Sequence, residues 1–262
     1  MTYGIALLSF IPIRKEMAET SEMVSQLLFG EFYLVIAEED RWIRIRTCFD
    51  QYAGWISRNQ HIALSGSEYR DLAEQYRYLV STQFATASIS GSDAIFMLGA
   101  GSELPGWDSQ TGFMVLGGKR LKISGFKVEN AGNGMEPLLN TAKRLLHTPY
   151  LWGGRSSFGC DCSGFVQTVF KLHHTALPRD AARQAELGMV VPSLREAAAG
   201  DLVFFNNGGL VVRHVGMLLS PEEIIHCSGR VRIDSIDQKG IVNRDDKIYS
   251  HTGYVIKRVL RG

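Results

Sequence analysis

Between Tyr150 and Gly164 the chain reads YLWGGRSSFGCDCSG, a paired glycine, an acidic residue and a cysteine running straight into an apolar stripe. Phe165, Val166, Val169, Phe170 and Leu172 recur at helical spacing over Ser163 to Leu172. That pattern predicts an amphipathic helix, with Asp161 as its N-cap and Cys162 in its first turn. Unpaired backbone N–H groups and the positive end of the helix dipole favour an anion there. A thiol so placed is expected to have its pKa lowered below the free value of about 8.5 and to act as a nucleophile. Trp152, Gly153 and Gly154 suggest a tight turn that lets backbone approach a substrate closely.

A nucleophile needs a base. Val211 to Leu219 (VVRHVGMLL) reads as a strand with His214, Gly216 and Leu218 on one face and Val215, Met217 and Leu219 on the other. A short second strand, Ile224 to His226, follows the turn-like Ser220-Pro221-Glu222-Glu223. Adjacent strands would bring His226 beside His214. Cysteine, histidine and a polar group that orients the imidazole form the constellation of thiol acyl transfer.

Other chemistries compete for the same residues. Cys160, Cys162, His214, His226 and Cys227 include both common zinc ligand types. Neither Cys160-x-Cys162 nor the adjacent pair His226-Cys227 has a usual structural-zinc spacing, so no metal is expected. Cys160 and Cys227 read as small buried residues. The rival reading is redox control, a neighbouring thiol trapping Cys162 as a disulfide. His173 and His174, beyond the apolar stripe, read as surface groups near the helix C-terminus.

The charge balance, 28 Lys+Arg against 27 Asp+Glu for a net +1, points to neither nucleic acid nor an anionic membrane as partner. No apolar run approaches the ~20 residues that span a bilayer. The opening MTYGIALLSFIPIRKE has a short apolar run with no basic region before it and no small-residue cleavage site, so it reads as a strand rather than a signal peptide. Four cysteines without framework spacing suit a reducing compartment. A cytoplasmic protein is expected, or a periplasmic or secreted one if a leader has been removed.

The first half is rich in short β-forming runs: Ile5 to Ile13, Ser25 to Leu28, Tyr33 to Ile36, Trp42 to Ile45 and Gly54 to Ile56. These suggest a small barrel over residues 1–60. Tyr76 to Ser81, Ala94 to Leu98, Gly112 to Leu116 and Arg120 to Ile123 suggest a second over 61–130, with turns at Glu103 to Asp108 and at Gly117-Gly118. Glu129 to Gly134 (ENAGNG) is the expected boundary. A helix over Met135 to His147, with Pro137 near its start, opens the last domain, 131–262, and is expected to pack behind the nucleophile helix.

PYLWGGRSSFGCDCSGF, GDLVFF (Gly200 to Phe205), RHVGMLL and IIHCSG (Ile224 to Gly229) arrive in one order across the C-terminal half. Together they resemble the NlpC-type papain-like cysteine peptidases. IPIRKEMAETSEMVSQLLFGE, the charged turn with Trp42, and YAGWI (Tyr52 to Ile56) resemble a bacterial SH3-like domain. The fold implied is α+β, a papain-like peptidase domain preceded by two small SH3-like β-barrels. The resemblance implies Cys162 as nucleophile, His214 as general base, His226 as the residue holding the imidazole, and Tyr150 near the oxyanion site. No cofactor is called for.

Chains of this layout resemble murein-peptide recycling endopeptidases, in which the first β-module closes one end of the groove. That implies cleavage of the γ-D-glutamyl bond to the diamino acid in tri- and tetrapeptides with a free N-terminal L-Ala. Asp180 in PRDAARQ, Glu22 in SEMVSQ and Tyr52 in YAGW match positions that face the substrate's amino end. Trp152, Ser163 and Ala181 complete the expected binding set. Ala181 stands where the family has serine, so one hydroxyl contact is missing. The alternatives are a broad secreted peptidoglycan hydrolase whose SH3-like domains bind the wall, a related amidase or acyltransferase, and a non-enzymatic binder.

Overall fold

The computed structural model describes residues 2–125 and 134–260. All but the last residue of the expected boundary ENAGNG lies outside them. The chain forms two compact units, one of residues 1–130 with 152–157, the other of 131–151 with 158–262.

In the first unit, β1 (Tyr3–Ile5), β2 (Phe10–Arg14), β3 (Met23–Leu28), β4 (Phe32–Glu38), β5 (Trp42–Thr47), β6 (Ala53–Ser57) and β7 (Ala63–Leu64) form a seven-stranded antiparallel sheet ordered β3-β2-β6-β5-β4-β1-β7. Alternation sets its inner face: Ile43 and Ile45 are buried between exposed Arg44 and Arg46. The run Ile5 to Ile13, expected as one strand, is two. Ala6 leaves the ladder because its N–H donates to Glu31 O and its carbonyl accepts from Gly30 N, closing a loop against the β3–β4 turn.

The sequence next makes a helix that periodicity did not reveal, α1 (Gly66–Ala73), started by a full capping box between Ser65 and Glu68. β8 (Arg77–Leu79), β9 (Phe84–Ile89), β10 (Ile95–Gly99), β11 (Glu103–Pro105), β12 (Phe113–Leu116) and β13 (Lys119–Ser124) follow, as a sheet ordered β10-β9-β13-β12 and a β8–β11 pair. β9 escaped the composition reading because its buried face is Ala85 and Ala87 rather than β-branched residues. β11 occupies the start of the expected Glu103–Asp108 turn. Ile5, Phe29, Phe32 and Leu64 share one apolar cluster with Val80, Leu98, Leu104 and Leu121, so residues on both sides of position 60 bury one core. β14 (Arg155–Ser156) completes the unit. Arg155 Nη1 lies 2.8 and 2.7 Å from the two Glu31 carboxylate oxygens, with both side chains buried.

The second unit opens with α2 (Met135–Arg144), then β15 (Gly159–Cys160), α3 (Cys162–Leu172) and α4 (Ala181–Gln184). Its sheet comprises β16 (Met189–Val191), β17 (Leu202–Phe205), β18 (His214–Ser220), β19 (Glu223–Ser228), β20 (Arg230–Ile236), β21 (Gly240–Val242), β22 (Tyr249–Thr252) and β23 (Tyr254–Arg258). The order is β16-β23-β17-β18-β19-β20-β21-β22. α2 ends before the expected His147 because His147 N–H is drawn to Val231 O of β20. It packs on α3, as expected, and His173 lies 3.0 Å from Thr141 Oγ1 across that contact. His174 is exposed.

α3 departs from the amphipathic expectation. Every residue from Cys162 to Leu172 is buried, so the helix is a core element enclosed on all sides. Its polar groups are served inside the protein: Gln167 Nε2 donates to Leu177 O, and Gln184 Nε2 donates to Ser163 O.

Candidate active site

The start of α3 follows from Asp161. Its extended backbone ends the preceding segment, and its carboxylate accepts from the Gly164 N–H at 2.8 Å, capping the helix. Arg179 grips the same carboxylate, with Nη1 3.0 Å from Oδ1 and Nη2 2.6 Å from Oδ2, both side chains buried. Cys162 is the first helical residue, and the backbone N–H groups of Val215 and Ser163 donate to its sulfur.

The thiol is nevertheless pushed up to about 12, by burial first and then by the Asp161 charge; the two N–H donors and Arg179 pull the other way and lose. The expected lowering by the helix terminus is therefore overturned. A sulfur this enclosed loses more hydration than two amides restore.

Strands β18 and β19 bring the histidines together. Their register sets Gly216 opposite His226. A Cβ on Gly216 would meet His226 Cβ at 2.9 Å and Ile224 Cδ1 at 2.7 Å, so the glycine makes room for the imidazoles. His214 Nε2 lies 2.8 Å from His226 Nδ1, and His226 Nε2 lies 2.9 Å from Asp234 Oδ2 on β20. His251 on β22 stacks on His214 with ring centroids 3.8 Å apart. Burial, then His226 and His251, hold His214 well below the ordinary histidine value. Burial thus favours the neutral form of each group, the Cys162 thiol and the His214 imidazole.

Tyr150, bridged to Cys160 by backbone pairing, keeps its proton. Burial, then Cys162 and Asp161, push its hydroxyl up to about 12. Cys160 and Cys227 are buried as expected, and their thiols meet each other at 3.8 Å. Contact with Cys227 and then burial raise the Cys160 thiol well above its ordinary value. His214, His226 and His251 each offer a nitrogen within 4.8 Å of the others, a donor set that could hold a metal ion. Both His226 nitrogens are already engaged.

The remaining expected residues divide between the units. In the second, Ser163 turns its hydroxyl inward to Asp161 Oδ1 and Arg179, while exposed Asp180 occupies the N-cap position of α4 and Ala181 begins that helix. In the first, Trp152 is 60% exposed and its Nε1 donates to Glu22 Oε1 at 2.8 Å. Tyr52 stands half-buried just before β6, its N–H donating to Thr47 Oγ1. Gly153, at φ 76°, makes the expected tight turn. The backbone it approaches is Met23, whose carbonyl oxygen would lie 2.1 Å from a Cβ there.

A family model described as the NlpC/P60 family matches residues 147–249, and one described as a bacterial dipeptidyl-peptidase Sh3 domain matches 13–60. A gamma-D-glutamyl-L-lysine dipeptidyl-peptidase of Bacillus subtilis is 31% identical over 216 residues, covering 77% of this chain and 71% of the relative. The chain belongs to the NlpC/P60 family. It is a peptidase with an NlpC/P60 papain-like fold and an N-terminal SH3-like domain. A dipeptidyl-peptidase 6 of Lysinibacillus sphaericus is 25% identical over 249 residues, 86% of this chain and 89% of the relative. An NlpC/P60 family protein of Bacillus cereus has the same fold, with TM-score 0.81, 21% identity and coverage of 99% of this chain and 100% of that one.

In this NlpC/P60 peptidase, sequence reading missed Arg179, Asp234 and His251. Arg179 had a local signal, a cation directly before the Asp180 loop. Asp234 and His251 had none, because strand pairing alone brings them to the histidines. Gly216 was visible on the His214 face, but its purpose depends on what stands opposite.

Proposed function

We propose that this NlpC/P60 peptidase hydrolyses the γ-D-glutamyl bond to the diamino acid in murein tri- and tetrapeptides that carry a free N-terminal L-Ala. The observation that carries the proposal is the hydrogen-bonded pair His214–His226 on strands beside a cysteine at the head of a buried helix. The similarity to a gamma-D-glutamyl-L-lysine dipeptidyl-peptidase of B. subtilis supports the bond class.

Cys162 is the nucleophile. Because thiol and imidazole are both held neutral, His214 takes the thiol proton as sulfur attacks the carbonyl carbon, instead of resting in a preformed ion pair. The new C–S bond leaves an oxyanion, stabilised by backbone N–H at the head of α3 and by the protonated Tyr150 hydroxyl. His214 returns the proton to the departing amine as the C–N bond breaks. Water then attacks the thioester carbonyl while giving a proton to the same nitrogen; the C–S bond breaks, the acid is released and the proton passes back to the Cys162 sulfur. His226 holds His214 in place.

Glu22, Tyr52, Trp152 and Asp180 are the proposed recognition residues, and Ala181 provides no hydroxyl there. The Glu22 carboxylate is lowered by the Trp152 hydrogen bond, with Lys15 adding to it, so it is negative at neutral pH and suited to an ammonium group. A second SH3-like barrel over 61–130 belongs to the same reading, as does action in the cytoplasm, where recycled peptides would arrive.

The test is mass spectrometry of products from L-Ala-γ-D-Glu-meso-diaminopimelate and its N-acetylated twin, with native protein, Cys162→Ala and Cys160→Ser. Release of L-Ala-D-Glu from the free peptide alone, lost only in Cys162→Ala, is expected. Equal cleavage of both peptides would replace the proposal with a broad wall hydrolase, and cleavage of neither with an amidase or another bond.

A further inference from the structure

We propose that Asp234 is a positioning residue of the proton relay: it keeps the hydrogen of His226 on Nε2, which fixes the tautomer of His214 and leaves its Nδ1 bare to take the proton of Cys162. The inference rests on the thiol-peptidase reading above and names a member of the relay beyond Cys162, His214 and His226.

Asp234 lies on β20, opposite Ile224 and diagonal to His226, whose direct partner is Arg232. It is 1% exposed, so its charge must be met from inside the protein. Arg232 Nη2 donates to Oδ1 at 2.9 Å, and the Arg244 backbone N–H donates to the same oxygen at 2.9 Å. Arg232 Nε lies 2.8 Å from Oδ2, where His226 Nε2 also arrives at 2.9 Å. Burial alone would raise this carboxyl, but the hydrogen bonds from His226, Arg232 and Arg244 outweigh it and hold the group well below the usual carboxylate range. An ionised carboxylate can only accept.

His226 Nε2 must donate, so in the neutral ring Nδ1 carries the lone pair. Across the 2.8 Å contact, His214 Nε2 must then donate. His214 is neutral, so its single hydrogen is spent there and Nδ1 is left as the base. Reversing the chain would put a hydrogen on His214 Nδ1 and disable it. When Nδ1 accepts the thiol proton, the new imidazolium remains hydrogen-bonded through His226 to a fixed negative charge.

Asp234→Asn reverses the chain by design. Both donors to Oδ1 select the amide oxygen there, so the amide NH₂ faces His226 Nε2 and obliges it to accept. In the full-length protein, kcat is expected to fall on the order of 10²–10⁴-fold with KM within about twofold. The rate of Cys162 alkylation by iodoacetamide, followed by peptide mapping, is expected to fall in parallel. Alkylation needs no murein peptide, so a wrong substrate in the proposed function leaves this readout intact.

The ¹⁵N spectrum of the native protein supplies a measurement that needs no variant: His226 and His214 should both be protonated on Nε2. Native His226 protonated on Nδ1 would overturn the proposal. So would a folded Asp234→Asn protein with unchanged kcat and unchanged alkylation.

Discussion

His251 lies flat against His214, the rings 3.8 Å apart and tilted by only 19°. Burial, and then His226, hold His251 at about 4, with Asp234 opposing weakly. An unfolded histidine titrates near 6.5. Between those values the unfolded chain binds a proton that the folded one refuses, so stability falls as pH drops from about 6.5 to about 4, then stops falling on this account. Allowing for partial solvent screening, the loss attributable to His251 is roughly 2 kcal/mol. Urea midpoints at pH 7 and pH 4.5 should show a smaller drop for His251→Phe than for the native protein. The acid limb of kcat/KM should likewise lie below the ordinary histidine value, because His214 is lowered in the same direction.

The Asp161 charge raises the Cys162 thiol. Asp161→Asn keeps an oxygen for the Gly164 N–H and removes the charge, so Cys162 should be alkylated faster at pH 8 than in the native protein. The same change leaves buried Arg179 without its anionic partner, and denaturant unfolding should report a loss of about 3 kcal/mol. A faster thiol in a weaker fold is the combined signature.

Arg155 and Glu31 form a buried pair that Gln26 completes, its backbone carbonyl accepting from Arg155 Nη1 and its Oε1 accepting from the Arg155 N–H. Arg155→Met strands the Glu31 carboxylate and should destabilise by about 3–5 kcal/mol. The double change with Glu31→Leu removes both charges, and its unfolding free energy should lie closer to native than that of the single variant.

If the Tyr150 hydroxyl serves the oxyanion, Tyr150→Phe should lower kcat by about 10²–10³-fold. Thermal unfolding should barely change, since the ring of this exposed residue is retained.

Cys160 and Cys227 spend their contacts on each other. Cys227→Ala should leave the rate of peroxide inactivation unchanged, measured by residual peptidase activity. Slower inactivation would restore the redox reading of the pair.

How much of the site could be read in advance follows the distance over which its causes act. The cap, the helix from Cys162 and the strand carrying His214 are products of a few consecutive residues: Asp161 before an apolar stripe, and alternation around His214. One turn later in sequence, His226 could be placed beside it because a hairpin is still local. Asp234 and His251 are polar residues in unremarked strands until β20 and β22 take their register, and only then do they reach His226 and His214. The thiol shows the same division most sharply. Its seat at a helix N-terminus was legible and correct, yet the direction of its pKa was not. That direction depends on how completely the second unit removes water from the sulfur, and burial is a property of the packed chain, which no stretch of residues carries alone.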